Sequence, residues 1–263
     1  MNQNYTMTKA ERIAKLRELR NDVIFSVRGE EESTPSAAVV NNSVMSFTEG
    51  VSKQNIKDLK NAYLFATTTA DKRNPGGKES GERWYKDFVT LMATAGWVES
   101  GGSYRAFTST EKNFSMDKIA LEILKGAAIT ATMAATGGSA ALGLMDTARN
   151  ALEAVSKDKE AVDMFDRNAM KDRGANFGIG AVTQINDEVC MAYGLVQYDT
   201  KASSTTVLFS TWDSSEVAIY QANTVFWMNE DAVEDTRDHI RDAMREERLR
   251  ALHELTGINK PKA

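Results

Sequence analysis

The sequence predicts an α+β protein with α/β/α layers: a central, mostly antiparallel sheet flanked by two helix pairs in a single domain, closed by a charged C-terminal helix. Three observations lead there. After Gly174 the apolar periodicity changes from about 3.6 residues to about 2, the switch from helices to strands. Residues 126–145 form a charge-free stretch, GAAITATMAATGGSAALGLM, in a chain that is otherwise 26% charged. Its length would span a bilayer, but its Ala, Gly and Thr content and the central Gly137-Gly138 pair predict a hinged helical hairpin packed on a sheet. Residues 230–255 carry acids early and arginines late, the polarity that a helix dipole favours.

The elements follow in order. Residues 8–20 read as a charged helix with Thr8 as N-cap and Ile13 and Leu16 as its apolar stripe. Val23, Phe25 and Val27 alternate as in a strand, residues 29–36 form an acidic, turn-rich loop, and 39–47 read as one further extended stretch. Residues 55–70 have helical spacing, with Ile56, Leu59, Ala62 and Tyr63 on one side. The Pro and Gly content of 71–81 marks a loop. Trp84, Phe88, Leu91, Met92 and Ala95 give the next helix, and Gly96 its cap.

Residues 97–114 read as an edge strand or a hairpin turning at Gly101 and Gly102. Helix is expected from 116 to about 172, divided only at Gly137-Gly138, with Leu142, Met145, Ala148, Leu152 and Val155 on the inner face of the second half. A meander of four or five strands follows, alternating at Phe177, Ile179 and Ala181, at Val189, Met191, Tyr193 and Leu195, at Val207, Phe209 and Thr211, at Val217 and Ile219, and at Thr224, Phe226 and Met228, with turns at Asn186-Asp187, 199–204 and 213–215. Gly257 and Pro261 end the last helix.

Composition narrows function mainly by exclusion. The net charge of −5 offers no footprint for nucleic acid and little attraction to anionic lipid. The N-terminal residues lack the apolar core of a secretory signal. The expectation is therefore synthesis in the cytoplasm and action outside the cell, or at a target membrane, after release or non-standard export. Gly76-Gly77-Lys78 is followed by Glu79, and Lys72 stands where a phosphate loop needs glycine, so that motif fails. Gly178-Ile179-Gly180 lacks a third glycine. His239 and His253 are too far apart on one helix to share a metal. No catalytic, metal or cofactor site is predicted, and the chain is not expected to be an enzyme. Cys190 reads as a small buried strand residue, with a thioester-linked lipid as the weaker alternative.

Two segments suit a membrane. One is the hairpin with its hinge at Gly137 and Gly138. The other is the sheet, both of whose alternating sets are apolar. Phe177, Ile179, Tyr193, Leu195, Val207, Phe209, Trp212, Ile219, Tyr220, Phe226 and Trp227 are its candidate lipid-contacting residues. In the folded monomer, helices covering both faces explain that pattern. Only helices and closed barrels satisfy their backbones in lipid, so insertion of the sheet requires oligomerisation.

The order of elements over residues 39–228 resembles the Cyt family of cytolytic delta-endotoxins, to which volvatoxin-type proteins are structurally related. The strings that carry the resemblance are the Gly/Ala/Ser-rich helices at 119–156, EVCMAYGLVQY and VLFSTWDSSEVAIYQANTVFW. It implies one Cyt-like domain over 1–263, acting as a protoxin that binds membrane lipids directly and permeabilises them as a homo-oligomeric pore or like a detergent. It also implies activation by trimming. Segments 1–22 and 230–263 would be the removable arms, with Arg12, Lys15, Arg17 and Arg20, and Arg237, Arg241, Arg245, Arg248 and Arg250, as cleavage points. The alternative is a non-lytic, self-assembling or partner-binding structural protein whose terminal helices serve assembly.

Overall fold

Three long strands carry the fold, and their pairing follows from one turn. In the computed structural model, which describes residues 24–27, 37–75, 81–136, 139–171, 174–200 and 206–256, β8 (Gly174–Ile185) and β9 (Glu188–Thr200) are joined by Asn186 and Asp187 at φ 50° and 67°. Two consecutive positive φ values make the tight turn whose twist suits a hairpin, and Asn and Asp tolerate them. β9 then pairs antiparallel with β11 (Val217–Met228) along almost its whole length.

Shorter strands extend the sheet on both sides. β1 (Ile24–Val27), β2 (Ala37–Val40) and β3 (Ser43–Phe47) form an antiparallel run whose last member lies parallel to β8. On the other side β4 (Trp97–Ser100) and β5 (Arg105–Phe107) both pair with β11. The order is β1-β2-β3-β8-β9-β11-β4, with β5 also on β11 and β7 (Met170–Lys171) on β8. β6 (Asn113–Ser115) and β10 (Thr211–Asp213) make a separate two-stranded ladder.

Helices cover both faces. α1 (Lys53–Arg73), α2 (Gly81–Thr94) and α6 (Glu230–Thr256) lie on one; α3 (Met116–Thr136), α4 (Ser139–Lys157) and α5 (Lys159–Ala169) lie on the other. Each face has its own core. Phe177, Ile179, Ala192 and Val196 meet α3, α4 and α5. Met191, Tyr193, Leu195 and Phe226 meet α1, α2 and α6. A strand buried on both faces reads as nearly continuous apolar sequence, which explains the uninterrupted burial of β9 from Val189 to Tyr198. The structure is thus α+β, with a mostly antiparallel sheet between helical layers.

Five details differ from the sequence expectation. Residues 39–47 are not one stretch: Asn41, at φ 51°, turns the chain between β2 and β3. Of the two readings of 97–114 the edge strand holds and the hairpin does not, with the edge interrupted: β4 and β5 are two pieces bonded to the same neighbour. The helix after 139 breaks at Asp158, whose extended backbone and side-chain bond to Ala161 N start α5 afresh. Val207 and Phe209 belong to a bend, and only Thr211–Asp213 pair, with β6. Finally, 217–228 is one strand; Gln221 and Asn223 interrupt its apolar alternation without ending it. The helix at 8–20, the loop at 29–36, Gly137-Gly138, residues 201–204, Gly257 and Pro261 lie outside the described residues.

Candidate functional site

The candidate site is the sheet together with its two covers, and the two faces differ in chemistry. Towards α3 and α4 the sheet presents Phe177, Ile179, Ala181, Cys190, Ala192 and Val196, met by Ile123, Leu124, Ala127, Ala128, Leu144 and Ala148. Small residues let helix and strand approach closely. A Cβ built on Gly194 would lie 3.0 Å from Leu124 N, so the helix backbone rests almost directly on the strand.

The opposite face is threaded with polar groups. Tyr63 of α1 and Tyr193 of β9 share a hydrogen bond of 2.9 Å between hydroxyls, and Tyr63 also bonds Ser43. Asn42 Nδ2 donates to Asn176 O at 2.9 Å. Nearby, Tyr104 donates to Gln197 Oε1 at 2.7 Å, and Tyr85 to Glu99 at 2.6 Å. Burial pushes the Tyr193 hydroxyl up to about 12 and that of Tyr63 well above its ordinary value, so both stay protonated and able to donate. On the same side Arg237 of α6 grips the buried Asp58 of α1 with Nε and Nη2.

The predicted lipid-contacting residues fall on different surfaces. Phe177, Ile179, Val207, Trp212 and Ile219 are buried in the core under α3–α5, and Trp227 packs against it half-buried. Tyr193, Leu195 and Phe226 are buried in the other core. Tyr220 stacks on Tyr104 at a ring separation of 5.7 Å, and Phe209 is exposed. They make no single apolar surface. Cys190 is fully buried on the α3–α5 face, where burial first, and Glu188 second, push its thiol up to about 12.

Sequence reasoning missed the polar belt. Its one visible sign was Asn41-Asn42-Ser43, a polar run inside an apolar segment. It also misplaced Leu142, which was assigned to an inner stripe and is 70% exposed, whereas Met145, Ala148, Leu152 and Val155 are buried. Met133 at 67% and Ile129 at 39% join it on the outside of the hairpin. Within 126–145, where no residue is charged, apolar periodicity does not distinguish inner from outer faces.

Beside the hairpin, Asp166 of α5 accepts a hydrogen bond from Val207 N at 2.9 Å. Desolvation raises its carboxyl above the ordinary value; the Val207 bond works against this, and Asp163 adds to it. A carboxyl that is raised on folding makes the native state take up a proton between the unfolded and folded pKa values. Its effect is most favourable below the unfolded value, and stability is lost as pH rises through the folded one. Asp166→Asn keeps an oxygen acceptor for Val207 and removes the buried charge. The variant is expected to melt higher than the parent at neutral pH, with the difference shrinking as pH falls through the raised folded value towards the ordinary carboxyl value of about 4. Thermal melts across that range check it; a parent that is more stable at neutral pH contradicts it.

No family model and no curated protein matches the chain. The solved structures similar to it include two, both at low identity. One, a delta-endotoxin, has a TM-score of 0.37 and 10% identity over 72% of this chain and 84% of its own. The other, the Evf virulence factor, has a TM-score of 0.33 and 10% identity over 89% and 87%. Both likenesses are weak.

Proposed function

We propose that the chain is a membrane-permeabilising protein of the cytolytic kind, which binds lipid directly and acts once helical cover leaves its sheet. One observation carries the reading: a sheet with an apolar core on each face, one of them closed by a hairpin whose residues 126–145 carry no charge and which exposes Ile129, Met133 and Leu142. Uncovering such a face in water exposes a large apolar surface, at roughly 25 cal/mol per Å². Lipid or the strands of neighbouring copies remove that cost. No described helix is long and apolar enough to cross a membrane, so in this reading permeabilisation falls to the sheet in an oligomer.

Leakage of dye from lipid vesicles tests it, before and after mild trypsin treatment. Release in either state is expected; intact vesicles in every lipid mixture, under both conditions, would sink it.

The second reading, a non-lytic assembly or partner-binding protein, is favoured by α6, a charged helix of 27 residues. Val233, Arg237, Ile240 and Met244 hold its first half to the domain. A truncation that separates the readings therefore starts after Met244. Loss of self-association without leakage favours assembly; gain of leakage favours a protoxin.

A further inference from the structure

The outer edge of the sheet carries one extra residue. β5 sets Phe107, Ala106 and Arg105 opposite Ile219, Tyr220 and Gln221, and β4 begins its pairing with Ser100 opposite Val225. Between these points Ala222, Asn223 and Thr224 of β11 lie against Gly101, Gly102, Ser103 and Tyr104, three residues against four. This is a β-bulge, and Gly101, at φ 69°, takes the left-handed conformation that the kink needs. Thr224 Oγ1 fastens it by donating to Gly101 O at 2.7 Å.

The bulge leaves a cavity of about 240 Å³ between the edge, β11 and α3. Gly101, Gly102, Ser103 and Thr130 line it and are exposed, so it opens to solvent. Ala127 and Val225 add a small buried aliphatic patch, and no charged side chain lines it. Asn223 completes the wall, half-buried. Its neighbours on the same side of the strand, Val225 and Ile219, belong to the core under α3–α5. Neither the Asn223 amide nor the Ser103 hydroxyl has a hydrogen-bond partner among the described residues. α3 keeps room for the amide, since a Cβ at Gly126 would lie 2.4 Å from Asn223 Nδ2. A β-branched apolar residue would suit this strand position better. An amide kept where the fold gains nothing from it marks a place that serves binding.

The lining also selects the ligand. The Asn223 amide and the Ser103 hydroxyl each donate and accept; Thr130, whose hydrogen goes to Gly126 O at 3.0 Å, has lone pairs left to accept. An ion finds no countercharge in this lining, and a wholly apolar ligand leaves the amide unpaired. A sugar ring meets both conditions, with hydroxyls that donate and accept and a C–H face for the aliphatic patch. The volume falls below the roughly 300 Å³ at which drug-sized pockets begin, which limits the occupant to one ring.

We propose that the cavity behind the 101–104 bulge binds a single neutral sugar unit through Asn223, Ser103 and Thr130. The site neither requires leakage nor implies it.

The experiment follows amide NMR signals of the full chain during titration with glucose, galactose, mannose and N-acetylglucosamine, with glycerol and inorganic phosphate as comparisons. At least one sugar is expected to shift the signals of 101–103, 127–130 and 223–225 saturably, with a Kd of about 1 mM or lower. Asn223→Ala should weaken that binding about fivefold or more. Thr130→Phe, at an exposed position, should abolish it by filling the cavity, whereas Met133→Ala, exposed on α3 outside the cavity, should leave it unchanged. Asn223→Val should melt above the parent and fail to bind, which a residue kept for the fold would not do.

No saturable shift with any sugar at about 0.1 M overturns the proposal. So does a glycerol response equal to that of the sugars, which means a hydrated gap only, or a stronger response to phosphate, which means an anion site. An Asn223→Val protein that melts below the parent shows that the amide serves the fold and overturns it as well. Vesicle leakage without sugar binding leaves the permeabilising reading standing; sugar binding without leakage leaves this one.

Discussion

Gly194→Val is expected to lower stability by about 1–3 kcal/mol and to make the protein leak vesicles at a lower protein-to-lipid ratio. Residue 194 faces α3, and a Cβ there would lie 3.0 Å from Leu124 N, 3.2 Å from Ile123 Cγ2 and 3.3 Å from Leu124 Cα. Two of these atoms are helix backbone, so no change of rotamer relieves the contact. β9 is bonded along both edges, to β8 and β11, and α3 is the less restrained partner. The helix therefore rises. Chemical denaturation gives the stability, and amide exchange shows whether α3 is the part that loosens. Gly143 is the control, since a Cβ there meets nothing within 4 Å. Gly143→Ala should lose no stability and gain up to about 1 kcal/mol from helix propensity. Loosened exchange without added leakage would show that hairpin separation and permeabilisation are uncoupled.

That glycine illustrates what the sequence disclosed and what it hid. The helix-to-strand switch at Gly174 was legible because β8 and β9 are regular and bounded by Asn186-Asp187, a turn with a local chemical cause. So was the packed hairpin, from its small residues. Pairing between distant segments was not legible. Nothing local says that β3 runs parallel to β8, or that β4 and β5 share β11 as a neighbour. Lys157-Asp158-Lys159 looks like a solvated helix face, and only the cap geometry shows the break. Tyr63 fitted an apolar helical stripe; its hydroxyl partner is 130 positions away in the chain. Leu142 followed the same periodicity as its buried neighbours because residues 126–145 carry no charge to mark the outer face there. The asymmetry between covers therefore became visible only with tertiary contacts in place.

The same asymmetry makes Arg237→Ala a counterpart to Gly194→Val. Asp58 is almost fully buried, with 4% of its side chain exposed, and accepts from Arg237 at 2.9–3.1 Å and from Gln54 at 2.9 Å. Removing the guanidinium leaves a buried carboxylate with one described neutral donor. Breaking a buried pair costs about 3–5 kcal/mol; because Arg237 is one-third exposed and water can enter, about 2–3 kcal/mol is expected here. Asp58→Ala should cost less, since the arginine left behind can rehydrate, and the double variant should resemble Asp58→Ala more than Arg237→Ala. Arg241→Ala, which loses only an exposed pair with Asp238 at 3.1 Å, should fall under about 0.5 kcal/mol. Equal costs for Arg237→Ala and Arg241→Ala in denaturation would show that the clamp contributes nothing beyond a surface pair. Arg237→Ala loosens the cover that the hydrogen-bonded belt still holds, so its α6 should be cut faster by trypsin while its vesicle leakage stays at the parent level. Leakage raised as far as by Gly194→Val would mean that α1 and α6, and not α3 and α4, are the layer whose departure opens the sheet.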